Sequence, residues 1–197
     1  PEKAYIIKNA LAPELSLMRT SLIPTLLSKI QYNLQDGYDN IALFEMNLAH
    51  QKGYVDEEGL PKEDWHLSMV LSSTDKRDDS AYYAVKQYAQ KLSNLLKLDF
   101  NYALVADYLE EDIPYDIKNI LYTFDSNTSA FVITCGEIVG VIGEIDNRVK
   151  SNFKLPRYTA CIDLNLNKLV NIQTNIGVVS KISKYPESRV DLCFELD

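Results

Sequence analysis

With 197 residues and a 46% hydrophobic fraction, the chain has the length of one large domain or two small ones and the composition of a packed globular core. Lys and Arg number 20 against 28 Asp and Glu, a net charge of −8. The cations are scattered, which argues against a nucleic-acid grip by this segment alone, because phosphate binding needs clustered Lys and Arg. Cys135, Cys161 and Cys193 have no C-x-x-C spacing and suit reduced thiols in a cytoplasmic protein better than a disulfide framework. No apolar run approaches the roughly 18 residues of a membrane span, and no signal-peptide pattern opens the chain. The sequence begins without an initiator Met, and "RVDLCFELD" breaks off like the start of a strand. An excised fragment is therefore expected.

The elements follow in chain order. "AYIIKN" reads as a short strand and "LSLMRT" as extended chain. Ser21 is a candidate N-cap, with Pro24 in the first turn, where a missing N–H costs little. Ile23, Leu26, Leu27, Ile30 and Leu34 recur at spacings of three and four, which predicts a helix closed by Gly37. "NIALFEMNLAH" reads as a strand, "QKGYVDEEGLPKED" as a solvated loop or hairpin tip, and "WHLSMVLSS" as a second strand. Asp78, Asp79 and Ser80 offer caps for a helix over about 80–98, with Ala81, Val85, Tyr88, Ala89, Leu92, Leu95 and Leu96 at helical spacing.

"DFNYALVADYL" predicts a strand and "EEDIPYD" a turn-rich break. "SAFVITCGEIVGVIGEI" predicts two strands about a tight turn at Gly136 and Glu137. A short helix "DNRVKSNFKL" and a strand "RYTACIDLNL" complete the reading. Strands outnumber helices, and the later ones are joined by turns too short for crossover helices. The expected class is α+β, an antiparallel sheet with a few helices packed on it.

Little in this pattern carries chemistry. His50 and His66 are the only histidines. The cysteines lie far apart without a neighbouring His, so neither histidine reads as a metal ligand and strand or loop positions fit better. G-x-S-x-G is absent. Gly136, Gly140 and Gly143 match neither G-x-G-x-x-G nor a Walker A; they read as a hairpin turn and two close approaches within the sheet. The acidic runs "DEEG", "LEED" and "KRDD" are solvated loops and caps, and Tyr82, Tyr83 and Tyr88 belong to helix packing. Arg19, isolated before the first helix, fits an ion pair or an interface better than a substrate contact.

The stretch "KNALAPELSLMRTSLIPTLLSKIQYNLQDGYDNIALFEMN" adds more. It resembles the β subunit of bacterial phenylalanyl-tRNA synthetase through Asn9, Leu11, Glu14, Met18 to Leu22, Pro24, Leu26, Leu27, Asn33, Leu43, Phe44 and Glu45. "AYYAVKQYAQKLSNLLKL", "GEIVGVIGEIDNRVKSNFKL" and "YTACIDLNLNKL" are similar to later segments of that family. The stretch 122–130, "YTFDSNTSA", departs from its His-, Gly- and Arg-containing counterpart. The resemblance implies a fragment from the C-terminal half of that subunit. Residues 1–180 would form a class II synthetase-like core, mainly an antiparallel sheet flanked by helices, and 181–197 the start of a truncated ferredoxin-like anticodon-binding domain.

In that family the core is catalytically silent and packs against the catalytic α subunit in an (αβ)2 assembly, which binds tRNA and uses ATP and magnesium to attach phenylalanine. Class II adenylation needs one arginine on the motif 2 strand and a second after a glycine-rich strand to hold phosphates. The strand resembling motif 2 carries Glu45 and no arginine, and Arg148 reads as a helix-surface charge. The resemblance thus implies no catalytic, cofactor-binding or metal residue here, with Arg19, Phe44 and Glu45 as structural or subunit-interface residues. It also implies a cytoplasmic location, no membrane contact, and weak or no tRNA binding by the fragment alone. Two other readings stay open: a residual amino-acid-adenylating site, and a free-standing binding module unrelated to translation.

Overall fold

The computed structural model describes residues 4–13, 16–55, 57–75 and 81–175. Helix α1 spans Ile23–Gln35 and buries Ile23, Leu26, Leu27 and Ile30, the face that the spacing predicts. Its start is offset by one residue from the expectation: Leu22 holds the N-cap position. The Ser21 hydroxyl still accepts the Ile23 amide at 3.2 Å, so it satisfies one of the free N–H groups of the first turn. Gly37, at φ +90°, donates its amide to the Leu34 carbonyl and ends the helix.

Strands β1 (Asn40–Val55) and β2 (Pro61–Ser73) pair antiparallel over almost their full length, with a register shift between His50 and Val55. The expected loop therefore shrinks to a short tip. Backbone pairing needs no apolar side chains, so this hairpin runs on past the core with exposed residues at Lys52, Gly53, Tyr54 and Val55. Helix α2 covers Ala81–Leu96; its expected caps at 78–80 lie outside the described residues. Strand β3 keeps only Asn101–Leu104, because a 3-10 turn at Val105–Asp107 interrupts the predicted strand. Helix α3 (Tyr115–Lys118) begins after Pro114.

Strands β4 (Phe124–Thr134) and β5 (Glu137–Ile145) form the predicted hairpin. Its turn sits one residue earlier than expected, at Cys135 and Gly136. Both have positive φ, +50° and +81°, the signature of a two-residue turn that follows the strand twist. Helix α4 (Asn147–Phe153) starts from Asp146, whose carboxylate accepts the Arg148 amide at 2.8 Å. Strand β6 (Tyr158–Asn165) runs directly into α5 (Leu166–Asn175), a helix absent from the sequence reading, which stopped at the strand "RYTACIDLNL". Asn165 marks the change, its side-chain oxygen accepting the Lys168 amide at 3.2 Å as an N-cap does.

All six strands form one antiparallel sheet in the order β1-β2-β6-β5-β4-β3. One face, called face one below, packs Ile41, Val70, Phe131, Val141 and Cys161 against α1, α4 and the 105–123 segment. Face two packs Ala130, Val132, Ile142, Ala160, Ile162 and Leu164 against α2 and α5. Helices thus cover both faces of one antiparallel sheet, a three-layered form of the α+β arrangement expected.

Gly140 stands opposite Leu164 of β6, and a Cβ there would press into the Asp163 carbonyl and reach Leu164 Cδ2 at 2.7 Å. The close approach is thus a packing requirement between neighbouring strands. Gly140→Ala is expected to lower stability by about 1–3 kcal/mol or more through overpacking, read by urea unfolding. An unchanged midpoint would mean that the β5–β6 contact has slack.

A buried polar floor as the candidate functional site

Face one is apolar at α1 and polar beside it. The register of β1, β2 and β6 places Glu45 beside Ser68 and Ser68 beside Asp163; the next row holds Asn47, His66 and Asn165. Residues two apart on a strand share a face, so these six side chains form a patch two rows deep. Ser68, Asp163, His66 and Asn165 are all buried. Burying polar groups is costly unless each finds a partner, and this requirement organises the region.

Asp163 is the hub. It accepts from the Ser68 hydroxyl, and its other oxygen lies 2.7 Å from His66 Nδ1. Burial opposes charging His66, but Asp163, with Asp116 and Asp64 behind it, outweighs that and raises the imidazole pKa above its usual value. Asp116 of α3 descends onto the floor, where Lys168 of α5 meets both its oxygens at 3.0 and 3.1 Å and the Asn165 amide donates to it at 3.0 Å. Lys168 also donates to the Ile138 carbonyl at 3.2 Å. Nearer α1, Asn119 donates to Gln51 at 2.7 Å, and Gln51 donates to the Thr20 carbonyl at 3.0 Å.

The residues singled out in sequence divide between the two faces. Arg19 and Glu45, 26 positions apart, meet at 2.6 Å, and Asn47 donates to the same Glu45 oxygen at 3.1 Å. Phe44 points the other way and is 70% exposed on face two. Arg148 is an exposed helix residue paired with Asp146 at 3.0 Å, as a helix-surface charge should be. His50 is a strand residue 3.3 Å from Glu63, and His66 is also a strand residue, though buried in an ion pair. Sequence reasoning missed Ser68, Asp116, Asp163, Asn165 and Lys168. A signal was available in "HLS" and "DLN", polar residues at alternate positions of strands otherwise filled with Leu, Ile, Met and Val.

The arrangement is not nucleophilic. Ser68 and His66 both turn to Asp163 instead of to each other, so the serine hydroxyl is engaged by a carboxylate that already pairs with the imidazole, not by the imidazole itself. Among the described residues no cluster of three or more His, Cys, Asp or Glu is disposed to hold a metal ion. An open cleft of about 780 Å³ lies beside the floor, lined by Arg19, Ser21, Pro24, Thr25, Asn119 and Tyr122 among others. Among the described residues Arg19 is the one cation in its lining, and Glu45 holds it.

The family profile described as the phenylalanyl tRNA synthetase beta chain CLM domain matches residues 1–166. The chain belongs to this family. Similar relatives include the phenylalanine–tRNA ligase beta subunit of Fusobacterium nucleatum, 28% identical over 97% of this chain and 23% of the relative. The corresponding subunit of Francisella tularensis is 27% identical over 100% and 23%. The chain thus spans about a quarter of the length of the curated relatives it matches. These matches do not support placing the segment in the C-terminal half of that subunit. Among solved structures, pyrrolysyl-tRNA synthetase from Desulfitobacterium hafniense superposes with a TM-score of 0.60 at 11% identity, over 88% of this chain and 54% of that one. This likeness carries the fold alone, which is the class II synthetase-like core expected from the resemblance.

The His66 pair sets a pH dependence. A pKa raised in the folded state stabilises fully below the unfolded value of about 6.5 and is lost as pH rises through the folded value. The stability difference between wild type and His66→Gln is therefore expected to be largest below about pH 6.5 and to shrink above it, measured by urea unfolding across pH. Asp163→Ala, which strands a buried cation, should cost about 3–5 kcal/mol. A pH-independent difference would show that His66 is neutral in the folded chain.

Proposed function

We propose that this chain is the catalytically silent core of a phenylalanine–tRNA ligase beta subunit, which packs against the catalytic α subunit and so supports the ATP-dependent attachment of phenylalanine to tRNA. The family match and the class II fold support the assignment. Silence rests on one observation: among the described residues three cations at the polar floor are each held by a carboxylate of the same chain, Arg19 by Glu45, Lys168 by Asp116 and His66 by Asp163, while Lys62, farther along β2, donates to the Tyr54 hydroxyl at 3.2 Å. A nucleotide's phosphates need preorganised positive charge, and here that charge is neutralised. These residues do not fit ATP, so no reaction step is routed through them.

In this reading ATP and magnesium act elsewhere in an (αβ)2 assembly located in the cytoplasm, and tRNA is met through the complete ligase. Arg19 and Glu45 brace the lead-in of α1 to β1, and Phe44 belongs to an interface. Residues 1–180 form the core; the proposed ferredoxin-like start at 181–197 lies outside the described residues.

Three experiments check this. The chain alone is expected to give no phenylalanine-dependent pyrophosphate exchange, and to co-elute with a phenylalanine–tRNA ligase α subunit. In the assembled ligase, Lys168→Ala should lower the melting temperature yet leave kcat/KM for phenylalanine activation within about twofold, since it touches no reacting atom. Exchange by the isolated chain, or a thousandfold loss on Lys168→Ala, would contradict the proposal.

A further inference from the structure

The two edges of the sheet differ. One is β3, four residues long; the other is β1, sixteen residues long. The pairing pattern identifies which β1 groups face outward. Thr74 donates to the Asp39 carbonyl in line with the β1–β2 ladder, whereas the His50 amide turns away from β2 to the Arg19 carbonyl. Hydrogen-bonded and non-bonded pairs alternate in an antiparallel ladder, so the odd-numbered residues of β1 bond to β2 and the even-numbered ones point their N–H and C=O outward.

At the upper end these outward groups are occupied. The His50 amide bonds to Arg19, and the Leu48 amide bonds to the Asn47 side chain at 2.9 Å. Among the described residues, nothing bonds to the outward backbone groups of Ala42, Phe44 and Met46. Their side chains share face two and all three are exposed, Phe44 at 70% and Met46 at 58%. Beside them Leu95 is 81% exposed, and a groove of about 310 Å³ runs from Phe44 over Leu67 and Met69 to Leu92 and Leu95. Edge strands are ordinarily guarded by lysine, proline, a bulge or an inward charge; at 42, 44 and 46 there is none, and the nearest charge, Glu45, faces the other way and is held by Arg19.

We propose that β1 pairs antiparallel with β1 of a second copy of this chain, on a two-fold axis at Phe44, to give one continuous sheet across the dimer. The occupant follows from the self-complementarity of the strand. With the axis at Phe44, Phe44 faces its own mate, and Ala42 faces Met46 of the other copy, a small residue against a large one. Each of these three outward positions forms a closely bonded pair that exchanges two hydrogen bonds. On face one, Leu43 meets Glu45 of the second copy, so like charges never stand opposite. The contact is isologous and closed, as two-fold association requires. The two Phe44 rings form a cross-strand aromatic pair over the apolar groove.

The full 197-residue chain provides the test. Sedimentation equilibrium at high micromolar concentration is expected to show a dimer. Ala42→Pro, which removes an outward N–H without touching the ladder to β2, and Phe44→Lys should each weaken association at least about tenfold. At concentrations low enough for wild type to be monomeric, the far-ultraviolet spectrum and melting of both variants should match it, because both sites are exposed. Oxidation tests the register. Directly opposed Cα atoms of a bonded pair lie about 5.5 Å apart, within disulfide reach, so Phe44→Cys should cross-link to itself. Met46→Cys should not, but should cross-link when mixed with Ala42→Cys. A monomer at all concentrations, a dimer insensitive to Ala42→Pro, or self-linking at position 46 would overturn the proposal. None of these outcomes depends on the presence of an α subunit or on ligase activity.

Discussion

Buried carboxylates on a β-sheet demand counter-charge, and this demand governs face one. Asp163 on β6 and Asp116 on α3 are buried, where an unpaired charge is expensive. The chain answers with His66 and Lys168 at 2.7 and 3.0 Å, and with Ser68 and Asn165 on the remaining lone pairs. Asp116 belongs to the 105–123 segment, so the same pairing ties that segment to the sheet. Ile117 and Ile120 then enter the core beside Phe131. Electrostatics and apolar packing therefore hold one roof over one floor.

A class II sheet can serve as a catalytic cradle only if positive charge remains free to meet phosphate. Here Arg19, Lys168 and His66 are engaged by carboxylates of the same chain, and the likeness to a solved synthetase at TM-score 0.60 carries the fold alone. A shared sheet does not by itself decide function, which rests on the groups aimed from it. What the sheet offers in exchange is surface, chiefly β1 with its exposed Phe44 and Met46.

Much of the architecture could be read from local pattern. Helix α1 was legible because Ile23, Leu26, Leu27 and Ile30 keep a helical period, and the β4–β5 hairpin because apolar runs flank a glycine. Helix α5 was not, because "LNLNKL" continues the alternation of β6 and only Asn165 signals the switch. The length of the β1–β2 hairpin was hidden by its charged tip, whose ladder depends on backbone and not on side chains. Arg19 and Glu45 were each singled out, but their meeting is a tertiary event. The floor was harder still: His66 and Asp163 are 97 positions apart, and only the pairing of β2 with β6 places them together.

The most direct check of the account is a titration of the isolated chain with magnesium–ATP, followed by calorimetry and by the imidazole NMR signal of His66. A face whose cations are already engaged predicts no saturable heat into the millimolar range and an unmoved His66 signal. Saturable submillimolar binding that shifts His66 and disappears in Lys168→Ala would show that the floor releases its cations to phosphate, and would contradict the account.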